Sequence, residues 1–214
     1  MAVSFQQVCV KSKPGTALPR LLLVAVMFLA GFVVPSCADP ADSDAAIRAF
    51  VERVNHESMN FFATGSEADA RQRCRDLLAW AFDVPFMGKQ VLGKAWDKAT
   101  EEERKEYMEA FENEVVSAYL KRMRPKGMTL TYVGRRPPVG SDQIAASRRT
   151  VPGKPDQIWI WWMRPDGQSW RIIDLLLDGH SVVDAEIQEY ANVLASNNGD
   201  INALIAFMRK RAGT

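Results

Sequence analysis

From Asp42 to Ala63 the apolar residues Ile47, Phe50, Val51, Val54, Phe61 and Phe62 recur at helical spacing, with Asp42 or Ser43 placed to cap the start. Gly65 interrupts the pattern. Ser66, with Asp69 three residues on, forms a capping box for a second helix carrying Cys74, Leu77, Leu78, Ala81 and Phe82. Asp83-Val84-Pro85 opens a short third helix that reaches Leu92, with proline in its first turn. Thr100 followed by Glu101, Glu102 and Glu103 starts a fourth: the hydroxyl caps free N–H groups and the acids complement the positive helix end. Tyr107, Phe111, Val115 and Tyr119 follow at intervals of four along one face, and the helix stops before Pro125 and Gly127.

The period then changes. Residues 128–135, 144–151, 157–164 and 169–177 read as four strands, separated by Pro137-Pro138-Val139-Gly140, Pro152-Gly153-Lys154-Pro155 and Pro165-Asp166-Gly167. Helices over 182–195 and 201–211 close the chain, divided by Asn197-Asn198-Gly199-Asp200. Helices, then strands, then helices predict an α+β domain with helices packed on an antiparallel sheet of about four strands. Strands three and four lack the usual polar face. Ile158, Ile160 and Trp162 oppose Trp159, Trp161 and Met163, and both sets are apolar. Either helices cover both faces, or one face lines an apolar cavity toward the Tyr107–Tyr119 helix stripe.

The first 38 residues read differently from the rest. They hold no acid, carry Lys11, Lys13 and Arg20, and continue into an unbroken apolar run over 21–34. That run is shorter than the ~20 residues a bilayer-crossing helix needs. Ser36-Cys37-Ala38 supplies the small residues of a cleavage site, so 1–38 is expected to be a secretory signal peptide and 39–214 a single exported domain. The whole chain has 27 basic and 26 acidic residues; removing the three basic residues of the leader leaves 24 against 26, a charge of −2. That balance gives no support to nucleic-acid binding through bulk charge. Cys74 remains alone after cleavage, so no internal disulfide is expected, and two His leave little for a metal site.

Two places invite a catalytic reading. Asp174, His180 and Ser181 have the composition of a hydrolase triad, but a nucleophile elbow needs glycine two residues after the serine, where Val183 stands. Adjacent His and Ser also point apart. His56-Glu57 lacks the second histidine of a zinc-protease helix. Asp174, inside the apolar stretch 170–177, must be hydrogen-bonded, paired or neutral. The basic groups Lys121/Arg122/Arg124/Lys126, Arg135/Arg136, Arg148/Arg149 and Arg209/Lys210/Arg211 read singly as solvated faces; together they favour an anionic surface or partner.

Two stretches carry a family resemblance. The first runs Phe82-Asp83-Val84-Pro85-Phe86-Met87, Val91-Leu92-Gly93-Lys94-Ala95-Trp96, Ala99-Thr100-Glu101-Glu102-Glu103-Arg104 and Phe111. The second runs Trp170-Arg171-Ile172-Ile173-Asp174, Asp178-Gly179-His180-Ser181-Val182-Val183, Glu189-Tyr190 and Gly199-Asp200-Ile201-Asn202-Ala203-Leu204. Their order and spacing over 42–211 resemble the MlaC family, the toluene-tolerance or ABC-transporter auxiliary proteins. His180 departs from the pattern, where a small aliphatic residue is expected.

The resemblance implies a monomeric periplasmic carrier without a cofactor, holding a phospholipid's acyl chains between helices and a curved sheet. Its implied partners are an outer-membrane lipoprotein–porin complex and an inner-membrane ABC transporter with its substrate-binding subunit, and its implied role is the upkeep of outer-membrane asymmetry. A diacyl lipid exposes roughly thirty methylenes at ~0.8 kcal/mol each, so crossing water unshielded costs on the order of 24 kcal/mol. By this analogy the lining is expected from Val84, Phe86, Met87, Val91, Leu92, Phe111, Val115, Tyr119, Ile158, Ile160, Trp162 and Ile172. Other readings are a carrier of hopanoid-like or other polycyclic lipids, favoured by six Trp, a hydrolase using Ser181, and an interaction domain with a filled core.

Overall fold

The computed structural model describes residues 44–63 and 65–213; the leader and its cleavage site, and the Asp42 or Ser43 cap, lie outside the described residues. Five helices come first: α1 (Asp44–Met59), α2 (Glu67–Ala81), α3 (Val84–Leu92), α4 (Lys94–Lys98) and α5 (Glu101–Met123). The sheet follows as β1 (Thr129–Val139), β2 (Asp142–Thr150), β3 (Gln157–Asp166), β4 (Ser169–Leu177) and β5 (His180–Ser181), and α6 (Val182–Ser196) and α7 (Ile201–Ala212) close the chain. The strands lie in the order β1-β2-β3-β4-β5, each pair antiparallel.

Local chemistry sets the helix starts. Ser66 and Asp69 form a reciprocal capping box on α2, and Thr100 and Glu103 form one on α5. The Asp83 carboxylate accepts from the Phe86 N–H at 3.0 Å to begin α3. Its own N–H donates to the Ile172 carbonyl at 2.9 Å, which fixes the start of α3 to β4.

Three features depart from the sequence pattern. Gly93, at φ 56°, ends α3 in a conformation that favours glycine and starts the single turn α4, which the apolar spacing did not predict. β1 runs through Pro137 and Pro138 to Val139 instead of stopping at 135. Its register with β2 shifts between Arg136 and Val139, and a proline without an N–H is tolerated in an edge strand. The two-residue β5 adds a fifth strand to the four expected.

Helix α5 is the centre of the helical layer, with α7, α2 and α3 packed around it. The sheet face beneath the helices is Trp159, Trp161 and Met163 with Trp170, Ile172 and Leu175. Trp159 and Trp161 pack edge-on at 5.8 Å; Phe82 lies 6.5 Å from Trp161, and Tyr119 lies 6.2 Å from Trp159. Each such aromatic pair contributes about 0.5–1.5 kcal/mol beyond its buried area. The placement of Ile158, Ile160 and Trp162 toward the helices is therefore corrected. They alternate with the buried trio and are only half-buried, on the opposite face.

Hydrogen bonding explains the choice. The Trp161 indole donates to Ser147 Oγ at 2.9 Å, and Asn55 of α1 joins the same hydroxyl at 2.9 Å, tying β3, β2 and α1 together. Trp162 instead reaches the Asp142 carboxylate at 2.9 Å, at the start of β2.

Candidate functional site

An apolar seam runs between α5, α3, α6 and β4. Phe111, Val115, Ala118 and Tyr119 form its α5 wall, and Met87 and Val91 its α3 wall. Val182, Val183, Glu186 and Tyr190 come from α6, Leu175 from β4, and Leu78 and Phe82 from α2 and its end. The Tyr107 hydroxyl donates to the Gly88 carbonyl at 2.8 Å, holding α3 close on α5. The seam has a volume of about 70 Å³, against the ~300–1,000 Å³ of an ordinary ligand pocket, so large rings fill most of the space between the layers. The sequence-based expectation of a roomy cavity is not met in this closed geometry.

The start of α6 is built by the residues that resemble a triad. Ser181 accepts from the Asp184 N–H at 2.9 Å as the helix cap, and its hydroxyl donates to Asp174 Oδ2 at 2.5 Å. Asp174 Oδ1 accepts from the N–H groups of Leu175 at 2.7 Å and Val183 at 3.2 Å. Asp174 is thus a satisfied acid that anchors the β4–α6 connection, and the geometry gives Ser181 a capping role.

Two carboxylates line the seam, Glu114 and Glu186, and the first is the more deeply buried. Glu114, 5% exposed, accepts from the Tyr190 hydroxyl at 2.6 Å and lies 2.7 Å from Arg211 Nε. Burial pushes its pKa up from the ordinary value, against the lowering effects of the Tyr190 hydrogen bond and of Arg211. Burial likewise raises the phenols of Tyr107, Tyr119 and Tyr190, so these hydroxyls stay protonated donors. The Cys74 thiol is pushed up to about 12 by burial, which leaves it an inert core residue.

The seam shares Glu114, Ala118, Arg122 and Glu186 with an adjoining polar vestibule of about 480 Å³, also bordered by Lys121, Pro125, Arg149, Lys154 and Arg211. On its other side, Leu78 and Phe82 separate it from a cleft of about 470 Å³ that holds Arg75, Arg164 and Arg171. Those three arginines are already paired, with Glu112 at 3.5 Å, Asp142 at 3.4 Å and Asp166 at 2.8 Å.

Of the lining residues expected from sequence, the structure brings Met87, Val91, Phe111, Val115 and Tyr119 together. Val84 borders the arginine cleft instead. Phe86 is half-buried, with the Arg164 guanidinium 4.5 Å from its ring centre. Leu92 and Ile172 are packed into the core. The α6 wall and Glu114 were missed. The spacing of Val182, Val183, Glu186 and Tyr190 marks one helix face, but only the tertiary fold shows what that face meets. Among the described residues no cluster of three or more His, Cys, Asp or Glu is arranged to hold a metal.

Helices closed over one face of an antiparallel sheet, around an apolar seam with a charged mouth, define an α+β domain built on an internal apolar site. The sequence model described as MlaC protein matches residues 45–210, and the chain belongs to this family. No curated protein matches the chain. Among solved structures it is similar to a phospholipid-binding protein from Ralstonia solanacearum, determined in complex with a phospholipid. That likeness has a TM-score of 0.64 at 18% identity, covering 80% of this chain and 98% of that one. At this identity the likeness concerns the fold.

Proposed function

We propose that the protein is a periplasmic phospholipid carrier that moves lipid between an outer-membrane lipoprotein–porin complex and an inner-membrane ABC transporter with its substrate-binding subunit, sustaining outer-membrane asymmetry. The observation that carries this reading is the seam: four helices and β4 supply apolar walls that border a charged vestibule, the division a phospholipid needs. Membership of the MlaC family and the phospholipid held by the Ralstonia protein support it. No described helix is long and apolar enough to cross a membrane. Residues 1–38 serve as the export signal and 39–214 as the carrier, acting as a monomer without a cofactor. Met87, Val91, Phe111, Val115 and Tyr119 contact the acyl chains, and the seam widens to admit them.

Native mass spectrometry of protein purified from the periplasm tests this directly. The expected result is a chain beginning at Asp39 with a stoichiometric adduct of phospholipid mass. Val115→Asp, which places a carboxylate in the seam, is expected to lose most of that adduct while keeping its circular dichroism spectrum. An adduct of polycyclic-lipid mass transfers the reading to the hopanoid-like class. Reproducibly bare wild-type protein overturns it.

A further inference from the structure

Resting on the carrier reading, we propose that the vestibule at the mouth of the seam is a headgroup subsite that binds the phosphate of the carried lipid and selects lipids of net negative charge. Its cations come from separate elements: Lys121 and Arg122 from the last turn of α5, Arg149 from β2 and Lys154 from the turn after it. A basic last turn alone complements a helix end. That accounts for Lys121 and Arg122 but not for Arg149 and Lys154 converging on the same space.

These charges are not balanced within the protein. The lining holds five basic residues against two acids, Glu114 and Glu186, which share Arg211 with Glu189 at 2.7, 3.2 and 2.5 Å. Arg122 donates to the Ala118 carbonyl at 2.9 Å. Arg149 donates to the Gln157 amide oxygen at 2.8 Å and to the Arg122 carbonyl at 2.7 Å, partners that carry no charge. Arg149 Nε is buried and has no hydrogen-bond partner. The Trp159 indole N–H is in the same state, and the Arg149 guanidinium sits 5.7 Å over that ring. Burial and the neighbouring charge of Arg122 lower the pKa of Arg149, while Glu186 supports the charge of Arg122 alone.

An unsatisfied buried donor costs free energy until an acceptor arrives, and a guanidinium matches a phosphate's two oxygens. The arginine cleft across Leu78 and Phe82 provides the contrast, since each of its cations has its own carboxylate. The vestibule adjoins the apolar seam across their shared residues Ala118 and Arg122, so chains in the seam bring a phosphate next to it.

The test loads the full exported chain from vesicles of equimolar phosphatidylglycerol and phosphatidylethanolamine, and reads the bound ratio by native mass spectrometry. Wild type is expected to carry phosphatidylglycerol in roughly tenfold excess, because the cations around the phosphate repel the ammonium of phosphatidylethanolamine, and to lose part of that excess in high salt. Arg122→Gln with Arg149→Gln is expected to bring the ratio among the bound lipids to about one, since the cations that disfavour the ethanolamine ammonium are removed. Because Arg149 also anchors the end of α5, Lys121→Gln with Lys154→Gln, both at exposed positions, provides a second variant with an intermediate ratio. A wild type that loads lipid at the vesicle ratio overturns the subsite and leaves the carrier intact. A wild type that loads no lipid overturns the carrier reading itself. Inorganic phosphate is titrated separately at constant ionic strength. If it binds wild type but not the double arginine variant, while the lipid ratio is the same in both, the vestibule belongs to free phosphate and the proposal fails.

Discussion

Burial takes the Glu114 carboxylate out of water, while Tyr190 and Arg211 hold its oxygens at 2.6 and 2.7 Å. Its pKa stands above the ordinary 4.5 because desolvation outweighs both partners. The folded protein therefore binds this proton more tightly than the unfolded chain does. Linkage fixes the sign: the contribution is fully present below pH 4.5 and is lost as pH rises through the folded value. Glu114→Gln keeps an acceptor for Tyr190 and cannot ionise. The variant is expected to match wild type in thermal midpoint near pH 4 and to gain on it steadily at higher pH. A difference between the two that stays constant from pH 4 to 7 contradicts the account. Asp174, by contrast, is held by the Leu175 N–H of β4 as well as by the Ser181 hydroxyl and the Val183 N–H at the start of α6.

At the scale of elements, the site depends on how closely α3 approaches α5, and Gly88 sets that distance. A Cβ at position 88 would lie 2.8 Å from Met108 Sδ and 3.0 Å from Phe111 Cδ1. Gly88→Ala gains about 1 kcal/mol of helix propensity and gives it back by displacing the flexible Met108, for a net change near zero. Gly88→Leu has no such outlet and is expected to cost about 1–3 kcal/mol in urea unfolding, through strain at the α3–α5 contact. Equal stability of the two variants would show that α3 moves freely off α5. The caps of α2, α3 and α5 were legible in the sequence because each is a dialogue between residues three apart. The face of β3 was not, because Ile158, Ile160 and Trp162 are as apolar as Trp159, Trp161 and Met163. The decision lay with Ser147 and Asn55, the latter more than a hundred residues before Trp161 in the chain. The same holds for the site: the α3 and α5 walls were read from spacing and resemblance, whereas α6 and the arginine pair meet them only through the fold.

For the molecule as a whole, the proposed carrier function asks how a seam of about 70 Å³ would receive chains of many methylenes, and the anchoring of its walls answers it. Nine residues of α5 are buried, and α7 and α2 brace it from behind. β4 is held by ladders on both sides, and α3 is tied to it through Asp83 and Ile172. In α6 only Val183 and Tyr190 of fifteen residues are buried, and its hold on α5 includes the Tyr190–Glu114 hydrogen bond. Few buried apolar contacts mean a low cost of local opening, so α6 is the wall that yields. Once chains lie in the seam, the half-buried Val182 on its wall gains apolar partners and the opening becomes harder. Two further buried methylenes, at ~0.8 kcal/mol each, correspond to roughly tenfold slower exchange. Hydrogen–deuterium exchange of lipid-free and phosphatidylglycerol-loaded protein is therefore expected to show α6 amides slowing by about that factor, with α5 and the β2–β3 ladder unchanged. Protection spread evenly over every element would mean that the lipid stabilises the fold as a unit. Protection confined to α3 would place the moving wall there instead, and either result removes α6 from the uptake step.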